Sequence, residues 1–126
     1  MPKCVLVIDD SAPVARALRR MLRAAGYRVE IAHDGESALE QLASAAPDLV
    51  LCDFRMPGMS GADLLLQVKE RAPHVARILM SGYAGSWSSS PVAQAEADEF
   101  IAKPWNDVEL LATIARVLAK GTDDPR

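Results

Sequence analysis

A few side chains in this 126-residue chain have the types and spacing to do chemistry together. Asp9 and Asp10 follow the apolar run Cys4–Ile8. Asp53 follows Leu49-Val50-Leu51-Cys52. Ser81 and Gly82 follow Arg77-Ile78-Leu79-Met80, and Lys103 and Pro104 follow Phe100-Ile101-Ala102. Each item alone is ordinary: Asp-Asp caps helices, serine makes turns, and Lys-Pro is a common solvated strand exit. All four fall at equivalent points, directly after short apolar runs. Converging there, three carboxylates would repel; one pair at 4 Å costs about 4 kcal/mol at an effective dielectric near 20. They would need a cation or raised pKa values. Oxygen-only ligands suit Mg²⁺, which keeps several waters and shares phosphate oxygens. A nearby lysine binds an anionic group as a point charge. A hard metal, a lysine, a hydroxyl and a spare carboxylate are the parts of a phosphoryl-transfer site. The carboxylate is the natural acceptor, as an aspartyl phosphate. No glycine-rich loop follows the first apolar run, which argues against nucleotide binding.

The elements that must position these residues are legible from periodicity. The apolar runs Cys4–Ile8, Val29–Ala32, Asp48–Cys52, Val75–Met80 and Phe100–Ala102 are short and mostly rich in Val, Ile or Leu, as buried parallel strands are. Amphipathic stretches alternate with them. Val14, Leu18, Met21, Leu22 and Ala25 recur at helical spacing, with Pro13 in the first turn and Gly26 as a stop. Gly35–Ala46 turns Ala38, Leu39 and Leu42 inward and ends before Pro47. A third helix starts at Ser60 or Gly61 and carries Leu64, Leu65 and Val68 to Arg71. The last starts at Asn106 or Asp107, either of which could cap it, and runs to Gly121. The fourth is weak: Gly85–Pro91 is loop chemistry, and only Pro91–Ala97 reads as helix, mostly alanine. A short or mobile element is expected there, and a disordered tail over 122–126.

Strands alternating with helices imply right-handed βαβ units and a parallel sheet covered on both faces. Ligands then bind outside the carboxyl ends of the strands, where the chemistry-bearing residues cluster. His33-Asp34 ends the second strand, which could lie at a sheet edge away from the cluster. Length and composition (50% hydrophobic, 25% charged) fit one globular domain. A net charge of −3 argues against a direct nucleic-acid or acidic-membrane partner. The apolar runs are far too short to span a bilayer, and the start does not read as a signal peptide, so the expected location is cytoplasmic.

The constellation resembles the receiver domain of two-component response regulators, the CheY-like superfamily. The matching residues are Asp9-Asp10, Asp53-Phe54-Arg55-Met56-Pro57-Gly58-Met59-Ser60-Gly61, Ser81-Gly82 and Phe100-Ile101-Ala102-Lys103-Pro104. The match spans residues 3 to about 120. The resemblance implies a single-domain α/β fold, a flavodoxin-like (βα)5 three-layer sandwich with a parallel sheet in the order 2-1-3-4-5, over residues 1–121. It implies Asp53 as phosphoacceptor. It implies Mg²⁺ held by Asp10, Asp53 and the backbone carbonyl of Arg55, with Asp9 reaching the ion mainly through water. Lys103 would pair with a phosphoryl oxygen, and Ser81 would turn toward the phosphoryl group. The Phe100 rotamer would follow as a switch; on residue type alone Phe100 reads as a core aromatic. The peptide bond before Pro104 is often cis in such domains. The partners implied are a sensor histidine kinase or histidine phosphotransfer protein upstream, and a downstream protein or output domain. The domain would assist its own phosphorylation and dephosphorylation without being an independent enzyme.

Other features carry less. Arg16, Arg19, Arg20 and Arg23 form a basic face, either solvated or a kinase contact. Trp87 reads as folded back or as a partner contact, and Trp105 as a packing lid or an anchor. Arg55 and Tyr83 lie two residues past the acceptor and the hydroxyl residue, where the family tunes phosphoryl lifetime. His33 and His74 read as surface or satisfied histidines. With Asp9 level with Asp53 on neighbouring strands, Cys4 and Cys52 would stand roughly 13 Å apart at about 3.3 Å per residue. A disulfide tolerates about 7 Å between Cα atoms, so both are expected to be free thiols. Two rivals stand beside the main reading. One is a phosphate-independent interaction module with the same fold. The other is a Mg²⁺-dependent phosphatase, which would want a carboxylate where Arg55 stands.

Overall fold

The sheet assembles from alternation of inward-facing residues. In a computed structural model, which describes residues 2–82 and 90–122, the strands are β1 (Cys4–Ile8), β2 (Arg28–Ala32), β3 (Leu49–Asp53), β4 (Ala76–Ser81) and β5 (Glu99–Ala102). They pair in parallel in the order β2-β1-β3-β4-β5. The helices are α1 (Ala12–Ala24), α2 (Gly35–Ala45), α3 (Gly61–Arg71), α4 (Pro91–Glu96) and α5 (Asp107–Thr122). Successive strand residues point to opposite faces. Val5, Val7, Leu49, Leu51, Ile78, Met80 and Ile101 therefore meet Ala15, Leu18 and Leu22 of α1 and Leu110, Ile114 and Val117 of α5. Leu6, Ile8, Val50, Cys52 and Leu79 meet Ala38 and Leu42 of α2, Leu64, Leu65 and Val68 of α3, and Ala93 of α4. This is the three-layer, flavodoxin-like sandwich expected.

Local chemistry sets the ends. Ser11, Asp34, Ser60, Ser90 and Asn106 each accept a backbone N–H of the first helical turn that follows them, the capping that such residues favour. Gly26 (φ 97°) closes α1 in the left-handed region. Three expectations are corrected. Ala25, placed on the inward stripe of α1, is exposed, and the stripe centres on Ala15, Leu18 and Leu22. Gly121, expected as a stop, lies within α5, and Thr122, assigned to a tail, is that helix's last residue. A turn of alanine and leucine upstream carries the helix past a single glycine, at a cost of about 1 kcal/mol. Tyr83, Trp87 and the rest of 83–89, and residues 123–126, lie outside the described residues.

Register decides the cysteines. Ile8 pairs with Cys52, which leaves Cys4 at the far end of β1 from Cys52. Both are buried free thiols. Burial pushes the Cys52 thiol far above its usual range, helped by the negative charges of Asp53 and Asp9. Among the described residues, no helix is long and apolar enough to cross a membrane.

Candidate functional site

The carboxyl ends of β1, β3, β4 and β5 lie side by side, because four consecutive members of the sheet order place them there. Asp9 and Asp10 leave β1, Asp53 ends β3, Ser81 ends β4 and Lys103 follows β5. One oxygen from each of Asp9, Asp10 and Asp53 lies within 4.8 Å of the others. Burial grades the three. Asp9 is 2% exposed, Asp53 is half-buried and Asp10 is exposed.

Lys103 crosses from β5 to this group. Its Nζ donates to Asp9 Oδ2 at 2.8 Å and to Asp53 Oδ1 at 3.3 Å. The Ser11 N–H donates to the other Asp9 oxygen, Oδ1, at 2.9 Å. Asp9 is therefore neutralised and bonded on both oxygens, which its burial demands. Lys103 pairs with two of the three carboxylates, Asp9 and Asp53. The titrations follow. Burial raises the Asp53 carboxyl above its ordinary value, Lys103 opposes this, and Asp9 and Asp10 add to it. Burial alone would lower Lys103, but its hydrogen bond to Asp9 and the charges of Asp9 and Asp53 outweigh that and raise it.

The backbone around Asp53 is held on two sides. The Phe54 N–H donates to the Met80 carbonyl at 2.8 Å, and its carbonyl accepts from the Gly61 N–H at 2.9 Å. A Cβ on Gly61 would stand 2.3 Å from the Asp53 carbonyl oxygen and 2.9 Å from Phe54 Cα. Only glycine lets α3 begin this close to the β3 exit. Arg55, two residues past Asp53, exposes its side chain in the loop between β3 and α3. Ser81 is 2% exposed, pairs with Ala102, and its carbonyl accepts from the Lys103 N–H at 2.8 Å. Phe100 pairs with Leu79 and packs, half-buried, on the α2–α3 side of the sheet. The Lys103–Pro104 peptide is cis.

Two contributors escaped the sequence reading. His33 stands at the end of edge strand β2, yet its Nδ1 lies 3.1 Å from the Asp9 carbonyl oxygen. Its place directly after an apolar run was the available signal. Gly61 carried no signal of its close approach, since its backbone is not in the left-handed region. Trp105 packs, half-buried, against the core cluster on the α1–α5 side, and its Nε1 donates to Asp107 Oδ1 at 2.8 Å. Arg16, Arg20 and Arg23 are exposed on α1, with Arg19 half-buried.

The response regulator receiver domain family model matches residues 5–115. The chain belongs to that family. It is 34% identical over 124 residues to response regulator MprA of Mycolicibacterium vanbaalenii, covering 98% of this chain and 54% of MprA. The receiver thus spans about half the length of that curated relative. A CheY-like receiver domain protein from Methanospirillum hungatei superposes with a TM-score of 0.89 at 30% identity, covering 97% of this chain and 98% of that one. Response regulator TrrA of Thermotoga maritima, solved in complex with Mg²⁺–BeF, gives 0.84 at 30% identity over 91% of this chain and 98% of its own. This chain is thus a receiver domain of the two-component response regulators.

Proposed function

We propose that this receiver, over residues 1–121, accepts a phosphoryl group on Asp53. The donor is the phosphohistidine of a sensor kinase or phosphotransfer protein. A carboxylate oxygen of Asp53 forms the new bond to phosphorus as the phosphorus–nitrogen bond breaks, and the imidazole leaves with a proton. The observation that supports this best is the charge arrangement: three carboxylates converge, Lys103 pairs with two of them, and the half-buried one of that pair is Asp53.

The donor set fits a hard divalent cation. It is all oxygen, carries more negative charge than Lys103 balances, and opens to solvent at Asp10. Asp10, Asp53 and the Arg55 carbonyl would hold Mg²⁺, with Asp9 acting mainly through water. The ion supplies charge neutralisation for the incoming phosphoryl oxygens. That TrrA binds Mg²⁺–BeF at comparable fold similarity supports the same capacity here. Lys103 already reaches Asp53 and offers its remaining donor capacity to a phosphoryl oxygen. Ser81, one strand over, supplies a hydroxyl. The phosphoryl group adds about −1.5 to −2 charges. Turning Ser81 toward that charge, with Phe100 following, biases the surface of α4, β5 and α5 that addresses a downstream protein or output domain.

The test is intact mass after incubation with acetyl phosphate and Mg²⁺, for wild type and Asp53→Asn. One added phosphoryl group on wild type alone is the expected result. Lack of any adduct, with no Mg²⁺ binding by calorimetry, turns the reading to a phosphate-independent interaction module.

A further inference from the structure

The shortest helix, α4, has few buried apolar residues among its described side chains. α4 has six residues. Among its described side chains, Ala93 is buried and apolar, and Val92 is exposed. The helix also has polar ties. Glu96 lies 8% exposed between α4 and α3, with Lys69 Nζ of α3 at 3.3 Å from its Oε1. Among the described residues that buried oxygen has no hydrogen-bond donor. Lys69 therefore meets it as a charge and not along a hydrogen bond. At the same end, Arg77 of β4 donates through Nε to the Glu96 carbonyl at 2.7 Å. The Arg77 N–H donates to Asp98 Oδ2 at 2.7 Å. The C-terminal end of α4 is thus tied to β4 through backbone groups, and an ion pair joins its Glu96 side chain to α3.

We propose that Lys69 and Glu96 form an electrostatic latch that keeps α4 docked on α3 in the unphosphorylated domain. The physics makes the latch asymmetric. Glu96 is buried and Lys69 is half in water, with side chains 10% and 51% exposed. Removing Lys69 leaves a buried carboxylate without a cation, which is expensive. Removing the Glu96 charge leaves only a lysine already solvated, which costs little. α4 should therefore open when Lys69 is lost alone, and stay shut when the Glu96 charge is lost too. Ser81 and α4 are successive in the chain, so opening α4 also eases the turn of Ser81. This last consequence, unlike the latch itself, rests on the acceptor reading of Asp53.

The experiment is native-state amide exchange on Lys69→Met, Glu96→Gln and the double variant, without phosphate or metal. The reporters are the Gln94 and Ala97 amides, which bond to the Ser90 and Ala93 carbonyls, and the control is the Ala72 amide at the end of α3. The expected result is exchange at least about tenfold faster at Gln94 and Ala97 in Lys69→Met alone. Glu96→Gln and the double variant should stay within about twofold of wild type, with Ala72 unchanged throughout. Unchanged exchange in Lys69→Met overturns the latch, as does acceleration that includes Ala72 or that persists in the double variant. Acetyl phosphate labelling is then run on the same proteins. Faster labelling of Lys69→Met supports the coupling to Ser81, and equal labelling overturns it. If no protein, wild type included, is labelled, the acceptor reading fails while the exchange result still decides the latch.

Discussion

α3 and α4 lie against each other on one side of the sheet, yet different forces hold them. α3 sinks Ala62, Leu64, Leu65 and Val68 into the core. Its first residue, Gly61, sits on the backbone that carries Asp53. α4 offers Ala93 and a buried carboxylate. A core leucine contributes roughly 2 kcal/mol through burial, and a helix with several such anchors does not shift by small steps. A short helix with few buried apolar anchors among its described side chains has states within reach of a single ligand's interaction energy. Under the proposed acceptor reading of Asp53, the difference suits a division of labour in which α3 fixes the geometry of Asp53 and α4 responds to its charge.

The sharpest way to break the comparison is truncation on each helix. Leu65→Ala should cost about 3 kcal/mol, lowering the urea midpoint of the whole domain. Ala93→Gly should cost less than about 1 kcal/mol and leave the global midpoint nearly unmoved, because α4 opens locally first. Equal losses would make the two helices equivalent. Next in size is Gly61→Ala. Its methyl meets a backbone oxygen at 2.3 Å, between a central strand and a well-anchored helix. A loss of about 1–3 kcal/mol in urea unfolding is expected, with weaker Mg²⁺ binding by calorimetry. Gly35→Ala is the control, since its nearest neighbour is the movable Met59 side chain. A weaker Mg²⁺ affinity in Gly35→Ala but not Gly61→Ala would move the support of the site from α3 to α2.

The smallest effect is electrostatic. The Asp53 carboxyl is raised in the folded state, chiefly by burial. A raised carboxyl binds its proton more tightly folded than unfolded. Its contribution is present below the ordinary carboxylate value and lost as pH climbs through the folded one. Ionised Asp53 is therefore a cost at neutral pH. Without Mg²⁺, Asp53→Asn should melt about 2–4 °C above wild type at pH 7, with the gap closing as pH falls toward about 4. Added Mg²⁺ should raise wild type and not the variant. A gap that is independent of pH would remove the electrostatic account. Lys103 is raised as well. Its stabilisation is complete below its ordinary value and is lost as pH rises from there through the higher folded one, so it does not enter this window.

Much of this molecule is legible from one chain. Short runs of Val, Ile and Leu bounded by turn residues have few options besides buried strands. The period of Leu64, Leu65 and Val68 has few besides a helix facing them. Asp9, Asp53, Ser81 and Lys103 each follow such a run, so a parallel sheet brings them to one edge without further information. Boundaries blurred where the cause was cooperative. Gly121 reads as a stop, but the helix already formed carries through it to Thr122.

The sequence by itself determined the elements, the alternation that sends Val5 and Leu6 to opposite layers, and the set of residues delivered to the carboxyl edge. Those follow from local sterics and period. The tertiary structure decided which oxygen Lys103 holds most closely, that His33 reaches the Asp9 carbonyl from an edge strand, and that Gly61 abuts the Asp53 peptide. It also decided that Glu96 is buried against Lys69 instead of solvated. Each of these depends on distances between residues far apart in the chain, set by how whole layers pack, and no local pattern encodes them.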